Sequence, residues 1–430
     1  MDLTLLNPWW EAKEAINRDK HIEQLARHKY IYEPELLQEN FRQANIYTIR
    51  GPRQVGKTTF LKQLIRKWLK KHEPKEIFYW SCDNLSTRDD LIELLAEYSG
   101  YCKANEINPR YVCLDEITGL AHWQKAIKFI VDNNIISACI ILTGSNAIDL
   151  KKGSERLPGR RGRYGTDHFF MPLSFRQYVK LIDKSWFEEH KDDSINKLRF
   201  HNDKLRLFFN KYLKTGGIPL VINEYEKNKS IPNYIHELYY SWIIGDILKE
   251  GTNEQALKEI IKSVLITYTT PISWDSIAKR SAVKSHITVS SYTELLENLI
   301  VLFSIYFQDV SEKKVKYRKN KKIYFFDPFI LHMFSERFKI KTDDAKTVEG
   351  IVGSFLKQRH MLDDLYYTKT KQETDFVVDD IGIEVKYQNK IEAKDFRNKG
   401  IFKKYRILSK DTFGHNIIPV HAFLFSKDKA

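Results

Sequence analysis

The chain has 430 residues, of which 42 % are hydrophobic and 29 % charged, and a formal net charge of +14. At about 100–200 residues per domain this length predicts two to four domains, and 23 Tyr with 25 Phe exclude a disordered tail. Four scattered cysteines without a CxxC pair signal neither a zinc site nor a disulfide framework, and the longest apolar runs fall far short of the ~20 residues of a membrane span.

The opening MDLTLLNPWWEAKEA lacks the basic start and apolar stretch of a secretion signal, so a soluble, cytoplasmic chain with reduced cysteines is expected. A polar helix is expected from Trp9 to His28. A strand from Asn45 to Arg50 leads into GPRQVGKTT (51–59), and a helix starting at Lys57 carries Phe60, Leu61, Leu64 and Leu69 at helical spacing. Further strands are expected at Glu76–Ser81, at Tyr111–Leu114 ending in Asp115–Glu116, and at Cys139–Leu142 ending in Thr143–Gly144–Ser145–Asn146. Alternating strands and helices predict a parallel sheet covered on both faces, with the polar motifs at the carboxyl ends where such sheets bind ligands.

GPRQVGKTT is a phosphate-binding loop in its expected setting between strand and helix. Gly51 and Gly56 let backbone amides converge on phosphate oxygens, Lys57 reaches the β- and γ-phosphates of ATP, the Thr58 hydroxyl sits on Mg²⁺, and Thr59 continues the cradle. YVCLDE (111–116) supplies the second half, with Asp115 in the magnesium shell and Glu116 as the base for the attacking water. Asn146 either senses that water or caps a helix. Arg160, in the arginine-rich loop ERLPGRRGRYG (155–165), is either a finger for a neighbouring subunit's ATP or part of a basic surface loop.

Residues 194–250 read as helical. PISWDSIAKRSAVKSHITVSSYTELLENLIVL (271–302) reads as helix, turn, helix, with Tyr292, Leu295, Leu296 and Leu299 inward and Ser290, Ser291 and Thr293 outward. SEKKVKYRKNKKIYFFD (311–327) then places Lys313, Lys314, Lys316, Arg318, Lys319, Lys321 and Lys322 in one hairpin. Crowded cations call for an anionic partner, and duplex or branched DNA is expected there. In KQETDFVVDDIGIEVKY (371–387), strand alternation sends Glu384 and Lys386 to one face and hairpin pairing brings Asp375 beside them. Two such carboxylates suit Mg²⁺ and the lysine suits a developing phosphorane charge, with Glu349 as a further carboxylate.

The set GPRQVGKTT, LDE, LTGSN, LPGR, MPLSFRQY (171–178) and GGIP (216–219) resembles a family of archaeal and bacterial AAA-type ATPases that carry a C-terminal winged helix and a restriction-endonuclease-like end. The resemblance covers about residues 30–420. It implies an α/β fold: a P-loop NTPase parallel-sheet core at 1–193, a helical lid at 194–250, a winged helix at 251–335 and a PD-(D/E)XK nuclease-like domain at 336–430. GGIP is similar to a lid motif, which implies that Gly217 and Pro219 lie near the adenine. Asp375, Glu384, Lys386 and Glu349 match the nuclease motif. The resulting expectation is a homo-oligomeric ATPase that processes or remodels DNA. The competing readings are an ATP-switched DNA- or protein-binding regulator with a silent nuclease fold, and a P-loop kinase, against which the DE pair and the large C-terminal half argue.

Overall fold

The computed structural model describes residues 2–144, 162–164, 166–283, 285–359, 365–370, 372–396 and 398–427. Two compact units divide it, residues 1–171 and 172–430, so the break falls earlier than the 193/194 boundary expected from the helical pattern.

Five parallel strands build the first unit: β1 (Ile46–Arg50), β2 (Ile77–Ser81), β3 (Tyr111–Asp115), β4 (Cys139–Gly144) and β5 (Asp167–Phe169), in the order β2-β3-β4-β1-β5. β1 and β4 are buried at every position, as strands covered on both faces are. Among the described residues four helices accompany them: α1 (Lys20–Ala26), α2 (Lys57–Trp68), α3 (Arg88–Ala104) and α4 (Trp123–Asp132). α2 buries Phe60, Leu61, Leu64, Ile65 and Trp68, and the Trp68 ring stacks on Tyr111 with centroids 3.8 Å apart.

The single helix expected from Trp9 to His28 is replaced by two 3₁₀ segments, Pro8–Trp10 and Lys13–Arg18, followed by α1. The reason is the exposed edge of β2. The Trp9 and Trp10 indole N–H groups both donate to the Ile77 carbonyl, at 3.2 and 2.9 Å. Asn7 donates to the Tyr79 carbonyl at 3.1 Å and accepts the Tyr79 N–H at 2.8 Å. An edge strand needs partners for its backbone groups, and a regular helix would turn at least one of these side chains away from it.

The second unit opens with helices, among them Phe175–Ile182, Asn202–Thr215, Pro219–Asn228 and Asn233–Leu248. Three more, Glu254–Ile266, Trp274–Arg280 and His286–Asn298, precede strands β6 (Leu302–Asp309), β7 (Lys314–Val315) and β8 (Lys322–Phe325). After helices Pro328–Phe338 and Asp344–Arg359 come β9 (Tyr366–Lys369), β10 (Glu373–Val378), β11 (Ile381–Lys386), β12 (Lys404–Ser409) and β13 (Ile417–Pro419). β6 runs parallel to β9, Tyr306 beside Tyr366, so strands expected in separate domains on either side of residue 335 share one eight-stranded sheet. β8 covers only Leu302–Ile305 of the eight-residue β6, and the aromatic stretch beyond it, Tyr306 and Phe307, pairs with β9 on the other side.

The His286–Asn298 helix buries Val289, Tyr292, Thr293 and Leu296, at i, i+3, i+4 and i+7. Its inward stripe is therefore rotated from the expected one: Thr293 faces inward, its hydroxyl donating to the Val289 carbonyl at 2.8 Å, while Ser291 remains exposed.

Candidate functional site

The loop between β1 and α2 brings Gly51, Gly56, Lys57, Thr58 and Thr59 to the carboxyl end of the first sheet. Gly56 adopts φ 105°, a backbone conformation that L side chains rarely adopt, and this turn starts α2 with its first amides facing the loop. The Lys57 ammonium donates to the Gly51 and Pro52 carbonyls at 2.9 and 3.0 Å and lies 3.5 Å from Glu116 Oε1.

β3 delivers Asp115, nearly buried. The Thr58 hydroxyl donates to Asp115 Oδ2 at 2.7 Å and the Tyr79 hydroxyl to the same oxygen at 3.0 Å. Thr143, on the intervening strand β4, donates to Asp115 Oδ1 through its hydroxyl and accepts the Glu116 N–H at 3.0 Å. Glu116 itself sits at φ 50°, in the left-handed region where non-glycine residues cluster at functional sites. Thr58 and Asp115 offer adjacent hard oxygen ligands, a donor set that fits Mg²⁺.

Thr143 and Tyr79 went unpredicted as site residues. The signal for Thr143 was present in LTGSN, one residue before the end of a strand whose neighbours supply the other polar groups. Tyr79 lies inside an apolar run that looked like core alone. Asn146 and Arg160 lie outside the described residues.

Gly217 and Pro219 belong to the second unit, where GGIP forms a buried turn. A Cβ on Gly217 would stand 2.0 Å from the Leu173 carbonyl oxygen, so the close approach admits only glycine. The Leu173 N–H donates to the Gly217 carbonyl at 2.7 Å, and the Gly217 N–H donates to Asp327 Oδ2 at 2.7 Å. Pro219 is the first residue of its helix, where its missing N–H costs nothing. Burial pushes the Asp327 carboxyl up to about 7. A carboxyl with a raised folded-state pKa stabilises the fold at low pH, and that contribution is lost as pH rises from about 4 through about 7. Melting temperature should therefore fall between pH 4 and 7, and Asp327→Asn should flatten this fall while lowering stability throughout; an equally steep fall in the variant would show that Asp327 does not drive it.

The C-terminal motif also assembles. The antiparallel register of β10 and β11, Phe376 against Ile383, sets Asp375 opposite Glu384. Asp375 Oδ2 accepts the Val385 N–H at 2.9 Å, and Lys386 Nζ lies 2.7 Å from Glu384 Oε1. Glu349 joins them from the helix Asp344–Arg359. Among these carboxylates stands Lys322, which is 1 % exposed, its Nζ 2.7 Å from Glu349, 3.0 Å from Glu373 and 3.0 Å from Asp375. Burial opposes the Lys322 charge, but Asp375, Glu349 and Glu373 outweigh it and hold its pKa well above the usual value. Burial and the Asp375 charge push Glu349 up to about 7 and Glu384 up to about 8. An ammonium in contact with three carboxylates does not fit a divalent-cation centre.

Lys322 was expected on a basic hairpin with DNA as its anionic partner. The hairpin's charges are largely spoken for within the chain: Lys321 is buried with its ammonium 4.3 Å from the centre of the Trp274 ring, Lys313 pairs with Asp380 at 2.9 Å, and Lys316 with Asp309 at 2.5 Å. Lys314, Arg318 and Lys319 are exposed, beside the exposed ring of Tyr317. Among the described residues, the group of three His, Cys, Asp or Glu side chains whose ligand atoms lie within 4.8 Å of one another is elsewhere, at His190, Asp193 and His201, and no helix is long and apolar enough to cross a membrane.

Residues 43–179 match the AAA domain family, and residues 206–341 match a domain of unknown function (DUF8612). The chain is 27 % identical over 330 residues to the uncharacterized protein MJ1637 of Methanocaldococcus jannaschii, covering 72 % of this chain and 67 % of that one. Its coordinates align with the Walker-type ATPase PABY2304 of Pyrococcus abyssi at a TM-score of 0.44 and 16 % identity, over 75 % of this chain and 97 % of that one. The Aeropyrum pernix ORC1 protein in complex with DNA aligns at a TM-score of 0.35 and 13 % identity, over 76 % and 95 %. The β1–α2 loop and Asp115 lie within the stretch that matches the AAA domain family.

Proposed function

We propose that the chain hydrolyses ATP with Mg²⁺ and uses the cycle to move a DNA-binding back half. The observation that carries this reading is the unbroken polar chain at the carboxyl end of the first sheet, Lys57–Glu116–Thr143–Asp115–Thr58. In it Thr58 and Asp115 would hold Mg²⁺, which supplies charge neutralisation on the phosphates when bound. Lys57 would exchange its loop carbonyls for phosphate oxygens. Glu116, its amide fixed by Thr143, would orient and deprotonate water. Gly51, Gly56 and Thr59 line the cradle, Gly217 and Pro219 form the turn of a lid, and Asn146 and Arg160 are proposed as sensor and finger, the latter requiring a second copy of the chain. Light scattering with and without ATP tests that assembly: a chain that stays monomeric under both conditions removes the finger.

Three helices followed by β6 and β8 support a winged-helix reading of 251–335, with DNA as partner on the strength of the net charge of +14. Lys314, Arg318 and Lys319 are the exposed cations of the hairpin for which DNA phosphates are proposed as partners. Replacing all three with glutamine should lower the slope of log K against log salt by about 2–3; an unchanged slope places the DNA elsewhere. Residues 336–430 are proposed as restriction-endonuclease-like. Lys322 among Glu349, Glu373 and Asp375 favours the second reading of that end, a silent nuclease fold that grips DNA without cutting it. Plasmid incubated with Mg²⁺ should stay intact with wild type and Lys386→Ala alike; cutting by wild type alone would restore the nuclease.

A further inference from the structure

The carboxylates at the β10–β11 hairpin are already engaged. Asp375 Oδ1 faces Lys322 Nζ and Oδ2 accepts the Val385 N–H. Glu349 Oε1 accepts from Lys322 and, at 2.7 Å, from the Tyr324 hydroxyl. Glu373 Oε1 meets the same ammonium, and Glu384 Oε1 meets Lys386. Among the described residues of this centre, the buried carboxylate oxygen without a hydrogen-bond partner is Glu384 Oε2. An ammonium has three N–H donors, and here Glu349 and Asp375 each accept one while Glu373 Oε1 forms an ion pair with the same group at 3.0 Å. Mg²⁺ or Mn²⁺ shared by Asp375 and Glu384 would draw an oxygen from each at about 2.0–2.2 Å and fill its shell with water, whereas both Asp375 oxygens are taken and the Lys322 ammonium stands against the same carboxylate.

We propose that Lys322 is the resident cation of this centre, standing where the motif would otherwise hold a divalent ion, so that the folded chain binds no metal at Asp375 and Glu384. The placement is built into the strand. β8 alternates, sending Lys322 and Tyr324 to the same face, and both reach Glu349. The lysine enters just before the apolar run IYFF and is itself buried. The centre then serves as an internal ion network tying β8 to the helix Asp344–Arg359 and to β10. This rests on the restriction-endonuclease-like reading of residues 336–430.

The test is Mn²⁺ binding to the full-length, nucleotide-free chain, followed by the electron paramagnetic resonance signal of free Mn²⁺. Wild type, Asp375→Asn and Glu384→Gln should bind the same number of ions. Lys322→Met should gain one Mn²⁺ at least about tenfold tighter than any wild-type binding, and Lys322→Met/Asp375→Asn should lack it. A wild-type ion that Glu384→Gln loses overturns the proposal. A folded Lys322→Met that gains no ion also overturns it, and then the nuclease-like reading beneath it has failed. If Lys322→Met does not fold, the comparison of wild type with Glu384→Gln decides: equal Mn²⁺ upholds the proposal and a lost ion sinks it.

Discussion

Replacing Lys57 with alanine should weaken ATP·Mg²⁺ binding by about a hundredfold, or about 3 kcal/mol, the worth of a well-placed charged hydrogen-bonding group. Lys57 is nearly buried between the Gly51 and Pro52 carbonyls and Glu116. Its ammonium is the point charge that the triphosphate would meet after the loop amides. Truncation also leaves two carbonyls and a carboxylate without their donor, so melting temperature should be recorded beside affinity. Titration calorimetry with a non-hydrolysable ATP analogue makes the measurement. Unchanged affinity in a folded Lys57→Ala would remove the loop from the nucleotide site and with it the proposed cycle.

Glu116→Gln should lower kcat by about 10²–10⁴-fold, the range for loss of a general base, with ATP affinity kept within a few fold. The amide retains the shape of the side chain and its backbone hydrogen bond to Thr143, so positioning survives while the base is lost. Thr143→Val separates the two roles. It removes both the donor to Asp115 and the acceptor for the Glu116 N–H, and should reduce turnover without changing which group takes the proton. Its pH–rate profile should therefore keep the wild-type shape. Undiminished turnover in Glu116→Gln would give the role of base to another group.

The phosphate loop, the Asp115–Glu116 pair and the alternation of strands and helices were legible because their determinants are local. Glycine spacing, an apolar strand before a polar pair, and helical periodicity all act over fewer than twenty residues. The same holds for the pairing of Asp375 with Glu384, which a short hairpin sets by itself. The N-terminal helix failed because Trp9, Trp10 and Asn7 answer to an edge strand some seventy residues away. The helix stripe at His286–Asn298 failed by a rotation, since Thr293 can hide its hydroxyl on its own backbone and pass for an apolar residue.

By itself the sequence determined four strands of the first sheet, the loop on it, the Asp115–Glu116 pair and the Asp375–Glu384 pair, through patterns that need only neighbouring residues. Tertiary structure alone decided what those groups face. β4 lies between β1 and β3, which makes Thr143 the link between Asp115 and Glu116. β8 lies against β6, in the sheet that holds β10 and β11, which turns one lysine of a charged run into the counter-ion of Glu349, Glu373 and Asp375. A buried charge is stable only where opposite charges close around it, and which residues close around it depends on chain segments brought together from far apart.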